Sequence, residues 1–117
     1  MIKKIALTTV LCASLLNTYA ADAVYQNVVP LPRSIVAQKG KPFTITAQTP
    51  VVYAGTDSKM KRNAEFLSEY IGQLTGLKLA VTDAKDKKTP AIVLALNPKV
   101  KGAEAYRITV AERQVTI

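Results

Sequence analysis

Apolar positions along this chain change period several times, and each change marks an element. Phe43-Thr44-Ile45-Thr46-Ala47 alternates apolar with polar residues after a Gly40-Lys41-Pro42 turn, the period of a half-buried strand. Thr49-Pro50 breaks that run, and Val51-Val52-Tyr53 begins a second short strand. Met60, Ala64, Leu67, Ile71 and Leu74 then recur at steps of four, three, four and three, one stripe of a 3.6-residue period, with Phe66 and Tyr70 widening it. Asp57 or Ser58 offers the N-cap oxygen and Gly76 the left-handed stop, which predicts a helix over about residues 58–75. Gly72 inside it costs about 1 kcal/mol against Ala and is tolerable where the helix docks tightly on a sheet.

Beyond the helix, Leu77, Leu79 and Val81 alternate with Lys78 and Ala80, a third strand that runs out into the charged segment 83–88. Residues 91–96 are a continuous apolar run of strand length, as a central strand covered on both faces requires, and Asn97-Pro98 stops it. Tyr106, Ile108 and Val110 alternate with Arg107 and Thr109, Glu112-Arg113 turns, and Gln114-Val115-Thr116-Ile117 begins another alternating strand. Earlier in the chain, Val28-Val29-Pro30-Leu31-Pro32 is held extended by its prolines and reads as an edge strand or an ordered lead-in. The order strand, strand, helix and four further strands predicts an α+β fold. We expect a two-layer sandwich in which one main helix covers a mostly antiparallel or mixed sheet.

The first residues stand outside that pattern. Lys3 and Lys4 precede an apolar stretch at 5–16, and small residues follow at Ala20, Ala21 and Ala23, the three-part plan of a secretory signal peptide cleaved after Ala20 or Ala23. The stretch is shorter than the roughly 20 residues a membrane-spanning helix needs. Residues 1–23 are therefore expected to be removed, with periplasmic or extracellular delivery of a domain at 24–117. Cys12 leaves with the leader, so the mature chain is expected to carry no disulfide and no thiol nucleophile.

Charge and composition narrow the chemistry. The 117 residues hold 16 Lys+Arg, 8 Asp+Glu and no His. Without histidine there is no His-activated nucleophile and no zinc site of the His/Cys type. Loss of Lys3, Lys4 and Asp22 with the leader leaves 14 basic and 7 acidic residues, a net charge of +7. The cations, Lys39, Lys41, Lys59, Lys61, Arg62, Lys85, Lys87, Lys88, Lys99 and Lys101, fall mostly at turns and element ends. They form no stripe of the kind a nucleic-acid-binding module presents, so they read as solvated loop charges.

Each remaining candidate has an ordinary reading. Glu65 and Glu69 share a helix face, but Lys61 stands one turn before Glu65, and the three fit a water-facing side better than the acid pair of a glycosidase. Asp83 and Asp86 lie among lysines and offer too few oxygens for calcium. Tyr25, Tyr53, Tyr70 and Tyr106 are scattered over four elements and read as core-edge tyrosines, not a sugar platform. The five glycines are isolated, so no phosphate-binding loop is present. No catalytic, cofactor-binding or metal-ligating residue is assigned.

Several motifs taken in order carry a resemblance. Pro30-Leu31-Pro32-Arg33, Gly40-Lys41-Pro42-Phe43-Thr44-Ile45, the helix end Leu74-Thr75-Gly76, Ile92-Val93-Leu94 and the segment from Gly102 through Glu104, Tyr106 and Ile108 to Val110 follow one another. In this order the chain resembles the N-terminal domain of bacterial β-N-acetylhexosaminidases of glycoside hydrolase family 20, over about residues 25–117. The resemblance implies a small α+β sandwich that precedes a (β/α)8 barrel of the same polypeptide and packs against it, with the glycan reached only through that barrel. It places the catalytic Asp-Glu pair far downstream: the Glu protonates the leaving oxygen, and the Asp positions the substrate's own 2-acetamido group as nucleophile. None of those positions falls in this sequence, which reads as a non-catalytic domain cut short in its last strand. The alternatives are a free-standing exported glycan-binding module and a protein-interaction module that completes its sheet with a partner strand.

Overall fold

The computed structural model describes residues 28–37, 39–84, 86 and 88–117. The expected signal peptide at 1–23, with Cys12, and also Tyr25, Lys85 and Lys87 lie outside the described residues. Contacts divide the chain into two units, Met1–Gln38 and Lys39–Ile117. In the first, residues 28–37 form neither helix nor strand, so the proline-bracketed segment is not a strand of the sheet.

Among the described residues the second unit holds one helix and five strands: β1 (Val51–Tyr53), α1 (Ser58–Thr75), β2 (Val81–Thr82), β3 (Ala91–Leu94), β4 (Thr109–Ala111) and β5 (Gln114–Thr116). The sheet runs β2-β1-β3-β5-β4. It is mixed: β1 lies parallel to both β2 and β3, β3 lies parallel to β5, and only the β4–β5 hairpin is antiparallel. The helix therefore serves as the crossover between parallel β1 and β2. An α+β domain with a mixed sheet under one helix is the architecture expected, while the antiparallel share is confined to one pair.

Three expected strands change, the alternating run from Tyr106 pairing only at Thr109–Ala111. Residues 43–47 form none, because Thr46 is drawn into a local turn. Its N–H donates to the Thr49 hydroxyl at 2.9 Å, its carbonyl accepts from the Thr49 N–H at 3.0 Å, and its hydroxyl accepts from the Gln48 N–H at 3.3 Å. Side-chain oxygens of this kind offer the backbone an alternative to a sheet ladder. Phe43 still packs against the core. The run from Leu77 pairs only at Val81–Thr82, since its first residues return along the helix before reaching β1.

The helix begins and ends as expected. Asp57, in extended backbone, accepts from the Lys59 N–H at 2.8 Å. Gly76 adopts φ 76°, a left-handed conformation, and its N–H donates to the Gly72 carbonyl at 2.8 Å. A side chain at Gly76 would meet open space but a strained backbone.

Register places Val81, Val51, Ile92, Val115 and Val110 side by side across all five strands, so one apolar row crosses the helix-facing side of the sheet. Val51, Ile92, Leu94 and Leu79 form the core with Met60 and Ala64 of α1, and Leu67, Ile71 and Tyr53 pack against it. Ala64 has no exposed surface, which marks where the helix comes closest to the sheet. The opposite face carries Thr82, Val52, Val93, Thr116 and Thr109. β3 sits third of five, with Ala91, Ile92 and Leu94 buried, as its continuous apolar sequence requires.

Candidate functional site

The residues with chemistry on them are not brought together. Glu65 and Glu69 are exposed on α1, and the Lys61 ammonium stands 3.9 Å from the Glu65 carboxylate. Such a pair on a wetted helix face contributes little to stability. Asp83 is exposed. Asp86 accepts from the Lys88 N–H and the Thr89 hydroxyl, each at 2.9 Å. The backbone N–H of Lys88 first, then the Thr89 hydroxyl and the charge of Arg113, hold its carboxyl below the usual carboxylate range. Arg113, in the β4–β5 turn, donates to the Lys88 carbonyl and so ties Lys88 to the hairpin. Among the described residues no group of His, Cys, Asp and Glu converges to hold a metal ion.

The tyrosines also part company. Tyr53 packs against the core, whereas Tyr70 and Tyr106 are more than half exposed on separate elements. One open depression of about 450 Å³ is lined by Lys41, Pro42, Thr44, Thr49, Glu112 and Arg113, among others. Several of its polar groups are already engaged. Lys41 pairs with Glu112 at 3.4 Å, and the buried Thr49 hydroxyl accepts from Thr46. Its lining holds no aromatic ring on which a sugar could stack.

The distinctive surface is apolar and lies on the helix-facing side of the sheet. Ser68 donates to the Leu79 carbonyl at 2.8 Å, and a Cβ built on Gly72 would stand 3.2 Å from the Leu77 carbonyl. That flank of α1 is thus closed by the chain's own return to β2. Gly72 permits a close approach to this backbone segment and not, as expected, to the sheet. At about 100° per residue, Phe66, Tyr70 and Leu74 lie roughly 120–160° around the helix from Ser68 and Gly72. They are 54%, 60% and 69% exposed. Phe66 and Tyr70 therefore do not widen the buried stripe; they begin a second stripe, which Leu74 completes.

Beside this second stripe the sheet is only partly covered. Along the apolar row, Val51 and Ile92 are buried, Val115 is half-buried and Val110 is 51% exposed. Helix α1 packs over β1 and β2 and leaves the far strands open. The guanidinium of Arg62 lies 5.0 Å from the centre of the Phe66 ring. Sequence reading missed this surface because it assigned every apolar helical residue to one stripe. The recurrence of Phe66, Tyr70 and Leu74 at exact steps of four was the signal that could have separated the two.

Among the described residues this arrangement offers a face for packing, and the reactive side chains stand apart. No helix among the described residues is long and apolar enough to cross a membrane. No curated protein matches the chain. The family model for glycosyl hydrolase family 20, domain 2, matches residues 25–117, and the chain accordingly belongs to this family as the non-catalytic N-terminal domain of its enzymes.

Proposed function

We propose that this domain is the accessory part of an exported β-N-acetylhexosaminidase, stabilising and orienting a (β/α)8 catalytic barrel that removes terminal N-acetylhexosamine residues from glycans. Family membership makes it an accessory domain of a glycoside hydrolase, in which domains of this kind accompany a catalytic domain. The observation that supports the role is the apolar face that the described residues leave open beside α1, because contiguous exposed apolar surface of this kind marks a contact site. Export rests on the basic, apolar and small-residue order of 1–23, with periplasmic or extracellular delivery after cleavage.

The test is to compare the enzyme with and without residues 25–117. Deletion is expected to lower the thermal midpoint and shorten the active half-life of the catalytic part while leaving KM per folded molecule nearly unchanged. Equal thermal behaviour of the two forms would contradict the supporting role. The chain of 117 residues alone is expected to be silent on chromogenic N-acetylglucosaminides. Turnover that follows its concentration through purification would overturn the non-catalytic assignment.

A further inference from the structure

We propose that residues 91–96 are the segment by which this chain, while still unfolded, is held by a chaperone whose groove is apolar, takes an extended peptide and carries acidic residues at its rim. The run Ala91-Ile92-Val93-Leu94-Ala95-Leu96 is uninterrupted by any polar residue, Pro or Gly. Six residues of that kind, once exposed, are enough to adhere to other apolar surfaces. In the folded domain the hazard is removed, because Ala91, Ile92 and Leu94 are buried in the third of five strands. Residues 5–16 are also apolar, so the inference is confined to the matched domain at 25–117.

The topology decides how long the segment stays uncovered. β3 lies between β1, which precedes it in the chain, and β5, which follows it. Towards β1 the Ile92 N–H donates to the Pro50 carbonyl at 3.0 Å, and the Leu94 carbonyl accepts from the Ala54 N–H at 3.0 Å. Towards β5 the Ala91 N–H donates to the Arg113 carbonyl at 3.2 Å and the Ala95 N–H to the Ile117 carbonyl at 2.9 Å, while the Val93 carbonyl accepts from the Ile117 N–H at 2.9 Å. These three bonds need residues that are synthesised after β3, so one edge of the apolar strand stays open until the chain has grown past them. Parallel pairing between segments distant in sequence also closes slowly.

Charge selects the occupant. Lys88 stands before the run, Lys99 and Lys101 follow it, and residues 89–98 carry no charge. All three lysines are exposed in the fold, and neither ion pair formed among the described residues uses any of them. Asp86, two residues before Lys88, offsets part of its charge in the unfolded chain, so Lys99 and Lys101 supply most of the flanking field. Two copies of the segment laid side by side would set lysine against lysine, and Pro90 and Pro98 remove a backbone donor at either end. A groove with an acidic rim meets the same lysines with the opposite sign. The open edge of the strand supplies backbone groups and its apolar side chains supply the anchors, as in other extended-peptide recognition.

The experiment dilutes the full chain of 117 residues from urea into a purified ATP-dependent, peptide-binding bacterial chaperone and maps backbone protection by hydrogen exchange with mass spectrometry. Within residues 25–117, protection is expected to centre on 91–96, and titrating the chaperone gives the affinity at that segment. Ile92→Asp with Leu94→Asp should weaken it at least about tenfold, as the loss of two buried apolar side chains requires. Lys99→Glu with Lys101→Glu should weaken it about threefold or more at low salt, and the effect should vanish at high salt. Neither comparison asks a variant to fold, because the chaperone binds the unfolded chain. The folded multidomain enzyme should not bind, since β3 is paired on both edges there. Protection centred on another segment of the domain overturns the inference, and so does equal binding of the folded enzyme. Protection that arises in the chain alone and grows with its concentration assigns the segment to a second copy and overturns the proposed occupant. Binding indifferent to Lys99→Glu with Lys101→Glu overturns the acidic rim.

Discussion

The two flanks of helix α1 meet different surroundings. On one, Ser68 and Gly72 press against the backbone of residues 77–79, through a hydroxyl bonded at 2.8 Å and an approach that leaves a β-carbon only 3.2 Å from a carbonyl. On the other, Phe66, Tyr70 and Leu74 form an apolar ridge that the described residues leave more than half exposed. Isolated exposed apolar side chains are common on protein surfaces. A ridge at steps of four beside a partly covered apolar sheet is a contiguous surface, and such surfaces mark contact sites. One helix thus divides its labour: its core stripe and the Ser68 flank hold the domain together, and the Tyr70 flank is available to hold the domain to something else.

Substitutions ranked by their expected effect on domain stability probe that division. Ile92→Ala, in the buried centre of the apolar row, should cost about 2–5 kcal/mol in chemical denaturation, from lost burial and the cavity left behind. Gly76→Val should cost at least about 1–2 kcal/mol, because a β-branched residue must occupy the left-handed stop at φ 76°. An effect near zero would mean that the helix runs on past Thr75. Ser68→Ala should remove about 0.5–1.5 kcal/mol by leaving the Leu79 carbonyl without its donor. Tyr70→Ser should change domain stability by no more than about 0.5 kcal/mol, as an exposed position does. If Tyr70→Ser proved as costly as Ile92→Ala, the two flanks would not differ in role.

The smallest effect is a matter of pH. Asp86 has its carboxyl lowered by the Lys88 N–H, the Thr89 hydroxyl and Arg113, so folding favours its ionised form. A group lowered on folding contributes stability that is full above its unfolded value, about 3.9, and fades as pH falls through the lower folded value. Asp86→Asn should therefore unfold slightly earlier than the parent near neutral pH, and the two should converge in strong acid. Thermal melts of both proteins across that range would show it. A difference that grew on acidification would reverse the assigned sign.

Local signals were legible in the sequence and distant ones were not. Asp57, the 3.6-residue stripe and Gly76 define α1 within itself, and the structure reproduces both caps. The unbroken apolar run from Ala91 marked β3 as central because a strand covered on both faces needs no polar alternation. The parallel register joining β1 to β2 and β3 depends on partners 30 and 41 residues away, which no local period encodes. Phe43 to Ala47 had a strand's alternation, yet two threonine hydroxyls closed a turn instead. The open face escaped notice for a related reason. Burial of Phe66 and Tyr70 depends on where the helix sits across the sheet, and that position is set by Ser68, Gly72 and the return segment.

The most direct measurement is the thermal unfolding of the catalytic part in the whole enzyme, with one charge introduced either in the ridge of α1 or beside it. Tyr70→Glu places a carboxylate in the apolar ridge, and Gln73→Glu places one at an exposed helical position nearby that is outside the ridge. The account predicts that Tyr70→Glu lowers the midpoint of the catalytic part while Gln73→Glu leaves it where the parent has it. Equal midpoints for Tyr70→Glu and the parent, with the domain still folded, would contradict the claim that this ridge couples the domain to its enzyme.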